Sequence, residues 1–345
     1  MSTVIPHDRA PGAPSAEQAV GIRAEFDAIR YACGLYDLGS RAQIALTGND
    51  RVRWLNGMVT NNVRDMANGH GAYAFLLNPQ GHILADLYAY NRSESLLVDV
   101  DQSQLEKVLQ IFDHYIIMDD VEVTNLSEKL ATVGVAGPKA PAVLHSAGIE
   151  VPPLQALQFT DVVWKDGSVT VVRTDNESVV GYELRLEPGN LPALRDALLR
   201  AGAKPVGAPA LELLRIACGI PRYGQDIRER DLPQETEQQR ALHFSKGCYI
   251  GQEIVERIRS RGAVHRKFTG FYVDGRLPAP GTKVQADGKD VGEITSAASL
   301  PVGSGERAVA LGYIRREMAA PGKQLQAGTT QLTIATLPFK EVLEH

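Results

Sequence analysis

Apolar and polar positions recur along this chain with two periods, and each change of period marks a new element. Val20, Ile22, Phe26 and Ile29 follow a helical spacing from Ser15, which can cap the helix, until the pattern breaks near Gly34. Residues 41–47 alternate as a strand does, and a helix carrying Val52, Trp54 and Leu55 comes next. Alternation is clearest at 73–77 and 82–90. These two strands are joined by Asn78-Pro79-Gln80-Gly81, with proline and glycine where a type I turn takes them. If Asn78 pairs with Gly81, counting back brings Tyr73 directly opposite Asp86. His82, Leu84, Asp86, Tyr88 and Tyr90 then share one face, largely polar and aromatic, while Ile83, Ala85, Leu87 and Ala89 form a core layer on the other.

The same reading gives a strand at 96–100, a helix at 102–112, strands at 121–124 and 130–135, and a helix opened by Gly137-Pro138. Strands at 169–173 and 179–186 precede helices at 192–200 and 209–217, and a polar loop runs from 224 to 244. After Phe268 the texture becomes short strands between glycine turns, near 270–273, 281–285, 291–296, 308–313 and 331–336, the pattern of a small antiparallel barrel. The expected fold class is α+β rather than doubly wound. Residues 1–20 read as a mobile tail, 21–265 as an α+β region and 266–345 as the barrel domain. No Walker loop or dinucleotide glycine fingerprint follows any strand, so neither an ATP nor an NAD site is supported.

Composition narrows the function classes. With 44% hydrophobic and 22% charged residues the chain reads as an ordinary globular protein. Its net charge of -5 opposes nucleic-acid binding by phosphate neutralisation, and the dense basic segment Arg257, Arg259, Arg261, Arg266 and Lys267 reads as a solvated face. Residues 1–19, interrupted by Pro6, Pro11 and Pro14, hold no apolar signal core, so the expected location is the cytoplasm, with no membrane partner. Cys33, Cys218 and Cys248 show no close pairing, which argues against a disulfide framework, and His243 and His265 lack zinc-ligand spacing. Cys33 and Cys218 read as packed thiols.

Cys248 is different. It lies in Lys246-Gly247-Cys248-Tyr249-Ile250-Gly251-Gln252-Glu253, followed by a short helix with Ile254, Val255 and Ile258 on one side, acids early and arginines late. A thiol just before a helix N-terminus, with an ammonium two residues away, is favoured as thiolate. The functional reading is a reactive or ligand-forming cysteine; the ordinary alternative is a small buried hydrophobe.

That eight-residue run resembles the signature of the YgfZ family, folate-binding proteins related to the glycine-cleavage T-protein, an aminomethyltransferase. The resemblance runs from about Ala24 to Ile334 and includes Gly34-Leu35-Tyr36-Asp37-Leu38-Gly39, Gly57-Met58-Val59-Thr60-Asn61-Asn62 and Gly219-Ile220-Pro221-Arg222-Tyr223-Gly224-Gln225-Asp226. It implies two interwoven α+β units around a central channel, closed at one end by the barrel. The ligand it implies is tetrahydrofolate or a one-carbon derivative, with Tyr73, Asp86 and Glu183 holding the pterin. A carboxylate such as Glu183 can accept two parallel hydrogen bonds from the aminopyrimidine edge.

The resemblance further implies that Cys248, with Lys246 beside it and Asp86 at the folate, takes part in a thiol step or a transient iron-sulfur cluster. The implied partners are iron-sulfur enzymes or assembly proteins, including those serving tRNA modification. Three departures from T-proteins stand out: Ala85-Asp86 where T-proteins have two aspartates, Asn176 where they have tyrosine, and Leu211 where an arginine meets the folate tail. Losing that arginine weakens selection for the tail carboxylates. Two other readings stay open at this stage: a genuine tetrahydrofolate-dependent aminomethyltransferase, and a sensor that binds folate without turnover.

Overall fold

The computed structural model describes residues 16–344, so most of the expected tail and its Ser15 cap lie outside the described residues. Helix α1 (Ala16–Tyr31) already occupies the last five positions assigned to that tail. Strand β1 (Gly34–Asp37) follows, and then β2 (Arg41–Thr47), α2 (Arg51–Met58), β3 (Gly71–Leu77), β4 (Ile83–Asn91), β5 (Leu96–Asp101), α3 (Leu105–Tyr115) and β6 (Glu122–Asn125). Strands β2 to β6 make one five-stranded sheet in the order β3-β4-β5-β2-β6. Its inner layer is Ala74, Leu76, Ala85, Leu87, Ala89, Val98 and Val100, packed on Leu55 of α2 and on Val108 and Phe112 of α3.

The chain then builds a second sheet around β1. Strands β7 (Ala131–Ala136), β8 (Phe159–Trp164), β9 (Gly167–Arg173) and β10 (Gly181–Leu186) are joined by α4 (Ala140–Ser146), and α5 (Leu191–Arg200) leads to β11 (Lys204–Pro205). The sheet order β11-β1-β7-β10-β9-β8 returns β1 to a central position beside strands 100 to 170 residues later, so the two units are interwoven. Val133, Val135, Leu184 and Leu186 face Leu144 of α4 and Leu194 and Leu198 of α5. Period-2 alternation leaves Thr132, Glu183 and Arg185 on the opposite face, toward the first sheet.

Helices α6 (Ala208–Ala217) and α7 (Gln252–Arg261) flank a long connection, and a closed six-stranded barrel ends the fold. It comprises β12 (Arg266–Asp274), β13 (Lys283–Ala286), β14 (Lys289–Val302), β15 (Gly305–Arg315), β16 (Gln324–Ala327) and β17 (Thr330–Ala335), with a short α8 (Lys340–Glu344) after it. No described helix is long and apolar enough to cross a membrane.

The hairpin register corrects the sequence reading. Tyr73 pairs with Tyr88 and Phe75 with Asp86, two residues away from the expected Tyr73–Asp86 pair. One residue of the shift comes from a wider turn, in which Asn78 N–H donates to the His82 carbonyl. The other comes from a bulge, because Leu76 pairs with Ala85 but Leu77 with Ile83. A shift of two preserves facing, so Asp86, Tyr88 and Tyr90 still share a side. Before the bulge the sides exchange: Ile83 leaves the expected core layer and packs with Tyr73, Phe75 and Leu77.

The barrel is fastened to the rest through Asp226, which is fully buried. It accepts from Arg215 Nη1 (2.6 Å), Arg222 N (3.0 Å) and Ser296 Oγ (2.7 Å). Removing one partner of a buried charge pair strands the other. Asp226→Ala is therefore expected to destabilise the protein by about 3–5 kcal/mol, read from denaturant unfolding.

Candidate functional site

The facing sides of the two sheets carry charge where most cores carry hydrocarbon. Asp99, at the centre of β5 and 1% exposed, accepts from Arg41 Nε (2.6 Å) and Gln43 Nε2 (3.2 Å) on its own sheet. From the other sheet Arg185, 2% exposed, reaches the same carboxylate at 3.0 Å and also donates to Glu183 at 2.8 Å. Burial would depress the Arg41 guanidinium, but Asp99 and then Glu183 outweigh it and hold its pKa above the ordinary value. Arg185 also lies over the Tyr90 ring at 4.5 Å. Glu183 is thus the outermost rung of a buried ladder and keeps 21% side-chain exposure.

Asp86 lies on the same side of the first sheet and is held at both oxygens. Tyr73 Oη donates to Oδ2 at 2.8 Å, and Gln104 Nε2 donates to Oδ1 at 2.8 Å. Tyr73 and Asp86 therefore meet despite the corrected register, diagonally rather than across a rung. Burial first, and then the charge of Asp86, hold the Tyr73 hydroxyl well above its ordinary pKa, so it remains a donor. Tyr88 lies 4.9 Å from Tyr73 ring to ring; its hydroxyl is raised by burial, with Asp86 and Glu183 adding to the effect and Arg240 and Arg41 opposing it. Both predicted carboxylates thus act on one tyrosine.

Access to this pair is guarded by Arg240. Its guanidinium lies 4.4 Å from the Tyr73 ring centre and pairs with Asp175, which in turn accepts from Tyr88 Oη at 3.4 Å. Asn61 pins the arrangement by donating to the carbonyls of both Tyr73 and Arg240 at 2.8 Å. Arg240 and Asp175 also line a cavity of about 550 Å³, together with Cys218, Lys267 and Phe268. Asn176, at a position where the resemblance sets a tyrosine, spends its amide on Cys218 Sγ at 3.4 Å. Burial pushes the Cys218 thiol up to about 11, and Leu211 packs in the core beside the barrel.

The 246–253 run has a different setting from the one expected. Lys246 is 1% exposed and directs Nζ to the carbonyls of Val59 (2.8 Å) and Asn56, at the C-terminal end of α2. Its donors are spent on satisfying orphan helix carbonyls. Ile250 N–H donates to the Gly57 carbonyl, and Gln252 Oε1 accepts from Tyr249 N–H at 3.0 Å. Gly251, at φ +80°, sits so close to the hairpin turn that a Cβ would stand 2.5 Å from the Asn78 carbonyl oxygen. Gly247 also has positive φ, and Glu253 lies in the first turn of α7. The run therefore clamps α2 and the hairpin bearing Asp86. Cys248 is exposed, three residues before the Gly251 cap, and is not among the residues lining the cavity.

Two family models match the chain: the GCVT N-terminal domain over residues 9–246, and the glycine cleavage T-protein C-terminal barrel domain over 266–341. The chain belongs to the glycine cleavage T-protein family. The aminomethyltransferase of Rubrobacter xylanophilus is 32% identical over 304 residues, 87% of this chain and 81% of that protein. That of Halothermothrix orenii is 30% identical over 319 residues, 89% and 87% of the two chains. Among solved structures, the glycine cleavage system aminomethyltransferase T from Bartonella henselae superposes with a TM-score of 0.82 at 23% identity, covering 93% of this chain and 90% of that one. It shares the T-protein fold.

These relatives overturn the iron-sulfur reading of the cysteine motif. They match the chain over most of their own length and are aminomethyltransferases by name, and what they support is the T-protein family rather than its YgfZ branch. Among the described residues no group of three or more His, Cys, Asp or Glu could hold a metal ion. The sequence reading also missed Arg41, Asp99, Arg185, Gln104 and Arg240. A signal existed for three of them: Arg41, Asp99 and Arg185 are charges that alternate with apolar residues along β2, β5 and β10, on the face opposite each strand's apolar layer.

The setting of Lys246 gives a pH signature. Burial, assisted by Arg64, lowers its pKa from 10.5 to about 8, with Cys248 working weakly the other way. Between about pH 8 and 10.5 the unfolded chain binds this proton and the folded chain does not, so folding stability rises with pH across that window. Lys246→Met is expected to abolish the rise, as measured by denaturant unfolding at pH 7.5, 9 and 10.5.

Proposed function

We propose that this protein is a tetrahydrofolate-dependent aminomethyltransferase that moves a methylene unit from a lipoyl-bound aminomethyl group to tetrahydrofolate. The observation that carries this reading is that Asp86 and Glu183, on the facing sides of two different sheets, both act on the Tyr88 hydroxyl. Asp86 is held at both oxygens, and Glu183 accepts from Arg185 at 2.8 Å. The residues fit the pterin end of a folate. Glu183 offers a carboxylate to an aminopyrimidine edge, the Tyr73 and Tyr88 rings supply aromatic surface, and the neighbouring cavity of about 550 Å³ has the size of a small-molecule site. At the tail end a partly buried Leu211 stands where the resemblance expects an arginine.

When bound, tetrahydrofolate supplies the nucleophilic nitrogens that accept the one-carbon unit. The chain's own residues orient and polarise. Glu183 fixes the ring edge, and Asp86 stabilises positive charge developing beside it. The protonated Tyr73 keeps the Asp86 carboxylate in place. Asp86 can receive a proton from the reacting nitrogen and pass it on, which is the work of a general base. Cys248 has no part in this scheme. Its run serves as the clamp on the hairpin, and its likeness to YgfZ proteins is a likeness of sequence.

A reconstituted glycine-cleavage assay tests the proposal, with the chain as the only aminomethyltransferase present. The wild type is expected to release ammonia and form methylene-tetrahydrofolate. Asp86→Asn should lower kcat by about 100-fold or more. Glu183→Gln should instead weaken tetrahydrofolate binding by about 10-fold, read by titration. Cys248→Ala should retain full turnover. An inactive wild type, or Asp86→Asn at wild-type rate, would sink the reading.

A further inference from the structure

Strand β5 stops pairing with β4 at Tyr88–Asp99, although it stays paired with β2 as far as Asp101, so the backbone of Asp86 lies beyond the stretch of β4 that β5 pairs with. After Asp101 the chain turns into a single 3-10 turn, Gln102–Gln104, held by Asp101 Oδ1 accepting from Ser103 N–H at 2.9 Å. That turn delivers Gln104 into the gap, where it is 2% exposed. Its Oε1 accepts from Asp86 N–H at 3.1 Å and its Nε2 donates to Asp86 Oδ1 at 2.8 Å. One side chain thus takes over where the pairing with β5 stops, and grips both the backbone and the carboxylate of the same residue.

The two contacts fix each other. Turning the amide over would set oxygen against Oδ1 and an NH₂ group against an N–H, losing both bonds at a side chain that is itself buried. Gln104 therefore always presents a donor to Oδ1, just as the buried Tyr73 hydroxyl does to Oδ2. A carboxylate with one fixed donor on each oxygen cannot rotate about its own axis, and its remaining lone pairs point in one plane. We propose that Gln104 is a positioning residue that sets the plane in which Asp86 meets the reacting nitrogen. This rests on the role assigned to Asp86 above.

Gln104→Glu separates this role from simple filling of the gap. It keeps the volume and an oxygen for Asp86 N–H, but puts a carboxylate where the donor to Oδ1 stood. In the reconstituted assay its kcat should fall by about 100-fold, with the tetrahydrofolate KM within about threefold. In a crystal structure of the unliganded variant, the Asp86 carboxylate should be turned by more than about 20° from its wild-type plane. Gln104→Leu, which removes both contacts, should show the same kcat loss with a lower melting temperature. Wild-type kcat in Gln104→Glu, or an unmoved Asp86 plane, overturns the proposal while leaving the aminomethyltransferase reading intact. Full activity in Asp86→Asn removes both.

Discussion

The fold depends on a carboxylate, Asp99, shared between two sheets. Arg41 and Arg185 come to it from opposite sides, and Glu183 completes the row. Burying such charges costs several kcal/mol for each ion, and only near-ideal geometry offsets that cost. Hydrocarbon of the same volume would hold the sheets together at least as well. The ladder adds fixed direction: Glu183 must lie where Arg185 points, and Arg185 must lie where Asp99 is. The position of Glu183 is thereby set by a residue on the other sheet.

A second constraint acts on the hairpin. Its turn is pressed by Gly251 and by Ile254, whose side chain lies within 3 Å of a Cβ built on Gly81. Lys246 and Ile250 tie the same segment to the end of α2. The run that looked most like chemistry thus has an architectural part: it holds β3 and β4 at the depth where Tyr73 meets both Asp86 and Arg240.

Much of this was legible in the residues. Alternation assigned Asp86, Tyr88 and Tyr90 to one face, because a strand's period survives any even shift of register. The register itself was not, since the bulge before Ala85 is imposed by packing between Ile83 and the Phe75–Leu77 side and leaves no local mark. Four-residue β16 was missed although Gln324-Leu325-Gln326-Ala327 alternates, and β8 because its outward side carries Val163 as freely as its inward side carries Trp164. Lys246 was misread for a different reason. Its proximity to Cys248 in sequence suggested an electrostatic partner, whereas its actual partners lie 187 and 190 residues earlier.

The interweaving also bears on how the chain is made. Strands β2 to β6 run without interruption from Arg41 to Asn125, whereas Gly34 of β1 must wait for Lys204 of β11. As the polypeptide leaves the ribosome, the Asp86 sheet can close while the strand before it still has two open edges. During that interval Asp99 has Arg41 but not Arg185, so a half-built ladder faces solvent. Its charges keep the exposed face wet and discourage sticking to other nascent chains, which a purely apolar seam could not do.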